Sequence, residues 1–166
     1  MPEGLEAEIW CGAAEALVGR VITAVRCDPR VVADGVVDVA RDARIEAVRR
    51  RGKVVTLHLD DASRGPVVGL HFGMTGRLVI DGRAPIERLE YASAADRPAW
   101  DRFVLWTGSD AEPGDEIPAL RLNDPRRLGR VSLDPDLNAL GPEGRTLDAA
   151  ELSAALAGRR AAVKTL

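Results

Sequence analysis

The sequence predicts an α+β, mainly β fold: a two-layer β-sandwich of about eight strands. It is flanked by an N-terminal helix and a second helix, with a short helical C-terminal tail. Three observations predict this. Short β-branched runs recur from Arg20 to about Ile80 and again from Arg102 to Asp134, separated by Asp, Gly and Pro. Helical periodicity is confined to the two ends of the chain. Hydrophobic residues make up 46% of the sequence and aromatics only 4%, so a packed core is available and Val, Leu, Ala and Ile must fill it.

Residues 3–18 (EGLEAEIWCGAAEALV) read as the first helix, with Ile9, Ala13, Ala16 and Leu17 on one face. Pro2 ahead of it and Glu3, Glu6 and Glu8 in its first turns suit a helix start, where the free N–H groups and the dipole favour negative charge. Gly19 supplies a stop. VITAVRC, ARIEAVRRR, VVTLHLD, VVGLHFGM and GRLVI then read as strands. Their spacing, without helical segments between them, favours a sandwich or barrel over β-α units. Residues 81–99, with Pro85 and Pro98, read as a long connection, after which RFVLWTG, ALRLND and GRVSLD are three more strands. Past Asp134 the texture changes. LGPEG reads as a linker turn, TLDAAELSAALAG as a helix capped by Thr146 or Asp148, and RRAAVKTL as the opening of another helix. The expected organisation is a β-sandwich domain over 1–134, then a linker and the truncated start of a helical domain over 135–166.

The formal net charge of −3 does not announce a nucleic-acid binder, but the arginines are clustered, and local clusters set the local field. Cys11 and Cys27 stand apart, with no CxxC pair and no His at ligand spacing. That argues against a zinc site and for reduced thiols of a cytoplasmic protein. No apolar run approaches membrane length and no basic-then-apolar leader opens the chain, so no membrane partner is expected.

Four segments carry residue types suited to chemistry. Initiator Met is normally removed when a small residue follows, and Pro2 would then present a secondary amine able to attack an electrophilic sugar carbon and form an iminium. Glu3 suits a general acid or base, and Glu6, one helical turn on, suits tuning it or ordering a water. The same MPE start is also ordinary helix chemistry. RRRGKVVTLHL, residues 49–59, brings Lys53 into a strand after a basic run, placed for a phosphate or for simple solvation at a hairpin end. In GLHFGMTGRL, residues 69–78, Gly73 and Gly76 bracket Met74 and Thr75 on a tight turn. An unbranched apolar tip there suits a wedge between DNA bases, or a gap filler in the core, and His71 beside it suits a phosphate or base edge. In LNDPRRLGRV, residues 122–131, Asp-Pro starts a turn with Arg126 and Arg127 at its tip and Leu128 beside them. These suit a groove or a vacated base position, and are also compatible with a merely solvated turn.

In their order, these segments resemble one family. MPEGLEAE resembles the MPE-x-x-E start of formamidopyrimidine-DNA glycosylases and endonuclease VIII enzymes. RRRGK resembles the family's RRGK strand, HFGMTGRL its H-L-G-M-S-G-x-L turn, and NDPRRLG its D-P-R-R-F-G loop. LGPE, the following helix and RRAAVKTL resemble the entry to the family's helix-two-turn-helix module. The resemblance implies a base-excision repair glycosylase with abasic-site lyase activity, acting as a monomer on oxidised or abasic nucleotides in double-stranded DNA. It implies Pro2 as the nucleophile at C1′, Glu3 as the acid/base group with Glu6 supporting it, and Lys53 as a phosphate-holding proton donor in β-elimination. Met74, Arg126 and Leu128 would fill the gap left by the everted nucleotide, with Arg127 at the same tip. His71 would contact DNA, and Arg160 and Lys164 would grip the backbone.

Three departures qualify this. Leu128 stands where the formamidopyrimidine branch usually has Phe, which implies weaker stacking. Trp100 and Arg102 stand where the family often has histidines, so Arg102 is expected to take over a DNA contact. The chain reaches Leu166 without the rest of the helical module or the four-cysteine zinc finger, so no cofactor and weak DNA binding are expected. A truncated, catalytically impaired relic that binds damaged DNA is the alternative reading. Lesion preference stays open: the Met-Pro-Glu-Gly start is similar to the endonuclease VIII branch, while HFGMTG and DPRR are similar to the formamidopyrimidine branch.

Overall fold

The computed structural model describes residues 3–89, 94–108, 117–141, 143 and 146–158. Helix α1 spans Gly4–Ala14 and continues as a 3-10 turn over Glu15–Leu17. Glu3 caps it from an extended conformation, and its backbone N–H donates to the Glu6 carboxylate at 2.9 Å. Gly19, at φ +85°, turns the chain out of the helix. The buried face is Ala7, Trp10, Ala14 and Leu17, not the face expected: Ile9 is exposed, Ala16 is exposed and Ala13 is half-buried. Trp10 sets the rotation. Its ring is fully buried against Phe72, with centroids 4.2 Å apart, and an indole has more apolar surface to lose to water than an isoleucine.

All eight strand-like runs form strands: β1 Ile22–Cys27, β2 Ile45–Arg51, β3 Val54–Leu59, β4 Val67–His71, β5 Arg77–Ile80, β6 Asp101–Thr107, β7 Leu120–Asn123 and β8 Arg130–Leu133. They make two antiparallel four-stranded sheets, ordered β1-β6-β7-β5 and β2-β3-β4-β8. Ile22, Phe103 and Leu122 from the first and Val55, Leu70 and Val131 from the second belong to one buried cluster, as a two-layer sandwich requires. Helix α1 lies against β2 and β3 of one sheet and β5 of the other.

Helix α2, Val36–Ala40, was not legible in the sequence, because five residues carry no helical period and VVDVA looks like strand. It packs on β1 and β8. Helix α3, Ala149–Leu156, takes Asp148 rather than Thr146 as its cap. Asp148 accepts the Glu151 N–H at 2.8 Å, and the Glu151 carboxylate accepts the Asp148 N–H at 3.0 Å. The expected helical tail, with Arg160 and Lys164, lies outside the described residues, as does Pro2. Among the described residues no helix is long and apolar enough to cross a membrane.

Candidate active site

Three elements converge beside the start of α1. The β2–β3 register pairs Arg51 with Val54, leaving Gly52 and Lys53 as a two-residue hairpin tip. Lys53 Nζ lies 2.8 Å from the Glu3 carboxylate, with both side chains partly open to solvent. Register also pairs Val54 with His71, which sets the His71 ring next to Lys53. His71 Nδ1 accepts the Gly73 N–H at 3.2 Å, which leaves Nε2 to carry the proton of the neutral ring. Partial burial and, secondarily, the Lys53 charge hold its pKa below the ordinary histidine value. Glu3, Glu6, Lys53 and His71 are thus brought together, next in sequence to Pro2.

The basic run before Lys53 is not a uniform phosphate-facing patch. Arg50 is turned inward, where its guanidinium bonds Glu8 of α1, Glu143 at 3.0 Å and the Gly52 carbonyl at 2.7 Å. Glu143 also accepts the Gly52 N–H at 3.0 Å. The hairpin tip that carries Lys53 is therefore tied to α1 and to the segment following β8. Sequence reasoning missed this arrangement, since nothing in an Arg-Arg-Arg run tells which one folds inward.

A second group lies on two adjoining turns. Met74 and Leu128 are 40% and 42% exposed, so Met74 is not a core filler, and Arg126 is exposed beside them. Gly73 has φ +58°, and a Cβ there would lie 2.4 Å from the Leu128 carbonyl, so the backbones of the two turns touch. Asp124 and Thr75 sit buried between them, with Thr75 Oγ1 donating to Asp124 Oδ1 at 2.6 Å. Arg127, at φ +55°, donates from Nε to Asp28 at 2.7 Å, and that bond is the first cause holding the Asp28 carboxyl below its ordinary range.

Arg102 departs from expectation. It is 5% exposed, and its guanidinium donates to the Asp124 carbonyl at 2.7 Å, the Ala99 carbonyl at 3.2 Å and Asp28 at 3.5 Å. It supports the Asp124 turn from beneath instead of facing solvent as a free cation. Its place in β6, an inner strand between β1 and β7, is what buries it. Cys11 and Cys27 are separate free thiols, and among the described residues no group of three or more His, Cys, Asp or Glu is placed to hold a metal ion.

A sequence profile of the formamidopyrimidine-DNA glycosylase N-terminal domain matches residues 1–131. The chain is 37% identical over 177 aligned residues to a formamidopyrimidine-DNA glycosylase of Paracoccus denitrificans, covering 99% of this chain and 59% of that protein. With the Variovorax paradoxus enzyme of the same name it shares 35% identity over 178, covering 99% and 58%. Among solved structures, the MutM (Fpg) protein of Thermus thermophilus superimposes at a TM-score of 0.61 and 26% identity, over 85% of this chain and 46% of that one. Lactococcus lactis Fpg, solved with DNA containing N7-benzyl-Fapy-dG, has the same fold, with a TM-score of 0.58, 22% identity, and coverage of 80% and 43%. The two four-stranded sheets and the profile together define a glycosylase-type N-terminal domain. The chain belongs to the formamidopyrimidine-DNA glycosylase family, and spans 59% and 58% of the length of those two curated relatives.

Proposed function

We propose that this chain carries the catalytic end of a base-excision repair enzyme, a glycosylase with abasic-site lyase activity working through a Schiff base on Pro2. The observation that carries the reading is the Glu3–Lys53 pair at 2.8 Å, one residue from Pro2. With Met1 removed, the Pro2 amine attacks C1′ of the damaged nucleotide and the C1′–N bond breaks, its electron pair leaving with the base. Glu3, a carboxylate while paired with Lys53, takes up the proton that the Pro2 nitrogen sheds and passes it to the ring oxygen as the sugar opens to the iminium, while Glu6 orders the Glu3 backbone through their hydrogen bond. Loss of a C2′ proton from the iminium expels the 3′ phosphate and nicks the strand.

Lys53 exchanges its Glu3 partner for a backbone phosphate when DNA arrives, as a compact ammonium readily does. Met74 and Leu128 enter the stack where the nucleotide has left it, Arg126 and Arg127 line the same groove, and the neutral His71 donates from Nε2 to DNA. Arg102 acts behind them. Residues 1–134 form the catalytic domain, and 135–166 lead into a helical DNA-binding part to which Arg160 and Lys164 belong. The partner is damaged double-stranded DNA bound by a monomer, and the relatives named above support a damaged-base substrate.

The test is borohydride trapping on duplex DNA with one abasic site, with the N-terminal mass measured alongside. The expected result is a covalent adduct with the wild type, a strongly diminished one with Pro2→Gly, whose terminal amine is primary, and a mature chain lacking Met1. A retained Met1, or an undiminished adduct with Pro2→Gly, overturns the reading. DNA binding without any adduct favours the relic.

A further inference from the structure

We infer that Asp124 is a positioning residue whose buried carboxylate locks the Met74 turn and the Arg126–Leu128 turn into one rigid wedge. The inference deepens the proposed DNA reading of this surface and rests on it. Asp124 is completely buried and every polar atom it has is used. Oδ1 accepts from Thr75 Oγ1 at 2.6 Å and from the Arg126 N–H at 3.1 Å, while Oδ2 accepts the Gly129 N–H at 2.7 Å. Its own N–H donates to the Trp100 carbonyl at 2.8 Å, and its carbonyl accepts from Arg102 Nε at 2.7 Å. One residue thus joins the 72–76 turn, the 124–129 turn, the Pro98–Trp100 turn and β6. Arg102 continues the chain to Asp28, whose carboxylate also takes Arg127 at the tip.

The side chains offered to DNA are only partly packed. Met74 and Leu128 are each about two-fifths exposed. A wedge unstacks a base step only if it yields less readily than the stack does, so the stiffness of these tips must come from beneath them. The close approach of Gly73 to the Leu128 carbonyl adds a second, independent constraint on the same pair of turns. An asparagine cannot replace Asp124. Its amide offers one oxygen where two accept, so its NH2 group meets the N–H of Arg126 or of Gly129. Thr75→Val is finer, cutting the bond to the Met74 turn and sparing those within the other.

Two readouts test the lock on the whole chain. Hydrogen exchange without DNA is expected to rise across residues 126–129 in Asp124→Asn, and across 73–76 in Thr75→Val with 126–129 still protected. Borohydride trapping is expected to fall about tenfold on a duplex abasic site in both variants, and to stay near wild type on a single-stranded abasic oligonucleotide, which has no stack to open. Unchanged exchange at 73–76 in Thr75→Val overturns the lock. A wild-type ratio of duplex to single-strand trapping, or an equal loss on both, overturns the positioning role. Thr75→Val decides if Asp124→Asn fails to fold. A wild type that traps neither strand sinks the nucleophile reading instead, and exchange alone then decides whether the turns are coupled.

Discussion

Glu3 and Lys53 face each other on a partly exposed surface, where an ion pair adds at most about 1 kcal/mol to stability. Their proximity therefore says more about chemistry than about folding. Glu3→Gln is expected to leave the melting temperature nearly unchanged while cutting adduct formation by roughly a hundredfold, the usual scale for a general acid. Parallel thermal melts and trapping rates check this. Equal losses in both would make Glu3 a structural cap. His71 offers a second check at the same scale. Burial first and Lys53 second hold its pKa below the ordinary histidine value, so Lys53→Met is expected to raise it only part of the way back. NMR titration of the ring nitrogens reads this directly, and an unchanged His71 would mean that Lys53 does not sit where the pair with Glu3 puts it.

Between elements, the β2–β3 hairpin tip is held by Arg50, which reaches Glu8 in α1 and Glu143 beyond β8. Arg50→Met removes the charge that joins these elements and is expected to cost roughly 1–3 kcal/mol in urea unfolding. Duplex trapping should fall with it as Lys53 loses its fixed place. A neutral result in both would show that the tip holds itself. The eight strands were legible because short β-branched and apolar runs are punctuated by Asp, Gly and Pro, a local signal. α1 was legible in extent but not in rotation: Ile9 and Trp10 lie about 100° apart on a helix, and only the partner, Phe72, decides which goes inside. The two wedge turns were legible from Gly73, Gly76 and Asp124-Pro125, whose turn chemistry is local. The burial of Arg102 was not legible, because it depends on which strands flank β6, and that is set by pairings distant in sequence.

Over the whole molecule, the charged groups predict how stability follows pH. Asp28 and Asp96 are held below the ordinary carboxylate range, first by hydrogen bonds from Arg127 and Arg121. Their contribution is complete above about pH 4 and is lost as pH falls through the folded-state values. His58 and His71 are also depressed, chiefly by burial, so the unfolded chain takes up protons first as pH drops below about 6.5. Stability is expected to be flat above pH 7, to decline gently below about 6.5 and to fall more steeply below about 4. Urea midpoints across that range check it, and a profile flat from pH 7 to 5 would contradict the histidine part. The convergence of α1, the hairpin tip and β4 on one spot was not legible, because it is made by the sandwich as a whole. What the sequence did carry was the order of four motifs, each weak alone.

In the proposed chemistry Pro2 is the nucleophile and Glu3 and Lys53 are its partners. Peptide mapping by tandem mass spectrometry of the borohydride-reduced adduct tests it most directly. The reduced sugar is expected on the nitrogen of Pro2, in a peptide that begins there. An adduct on the Lys53 ammonium, or no adduct at all with abasic duplex DNA, would contradict it.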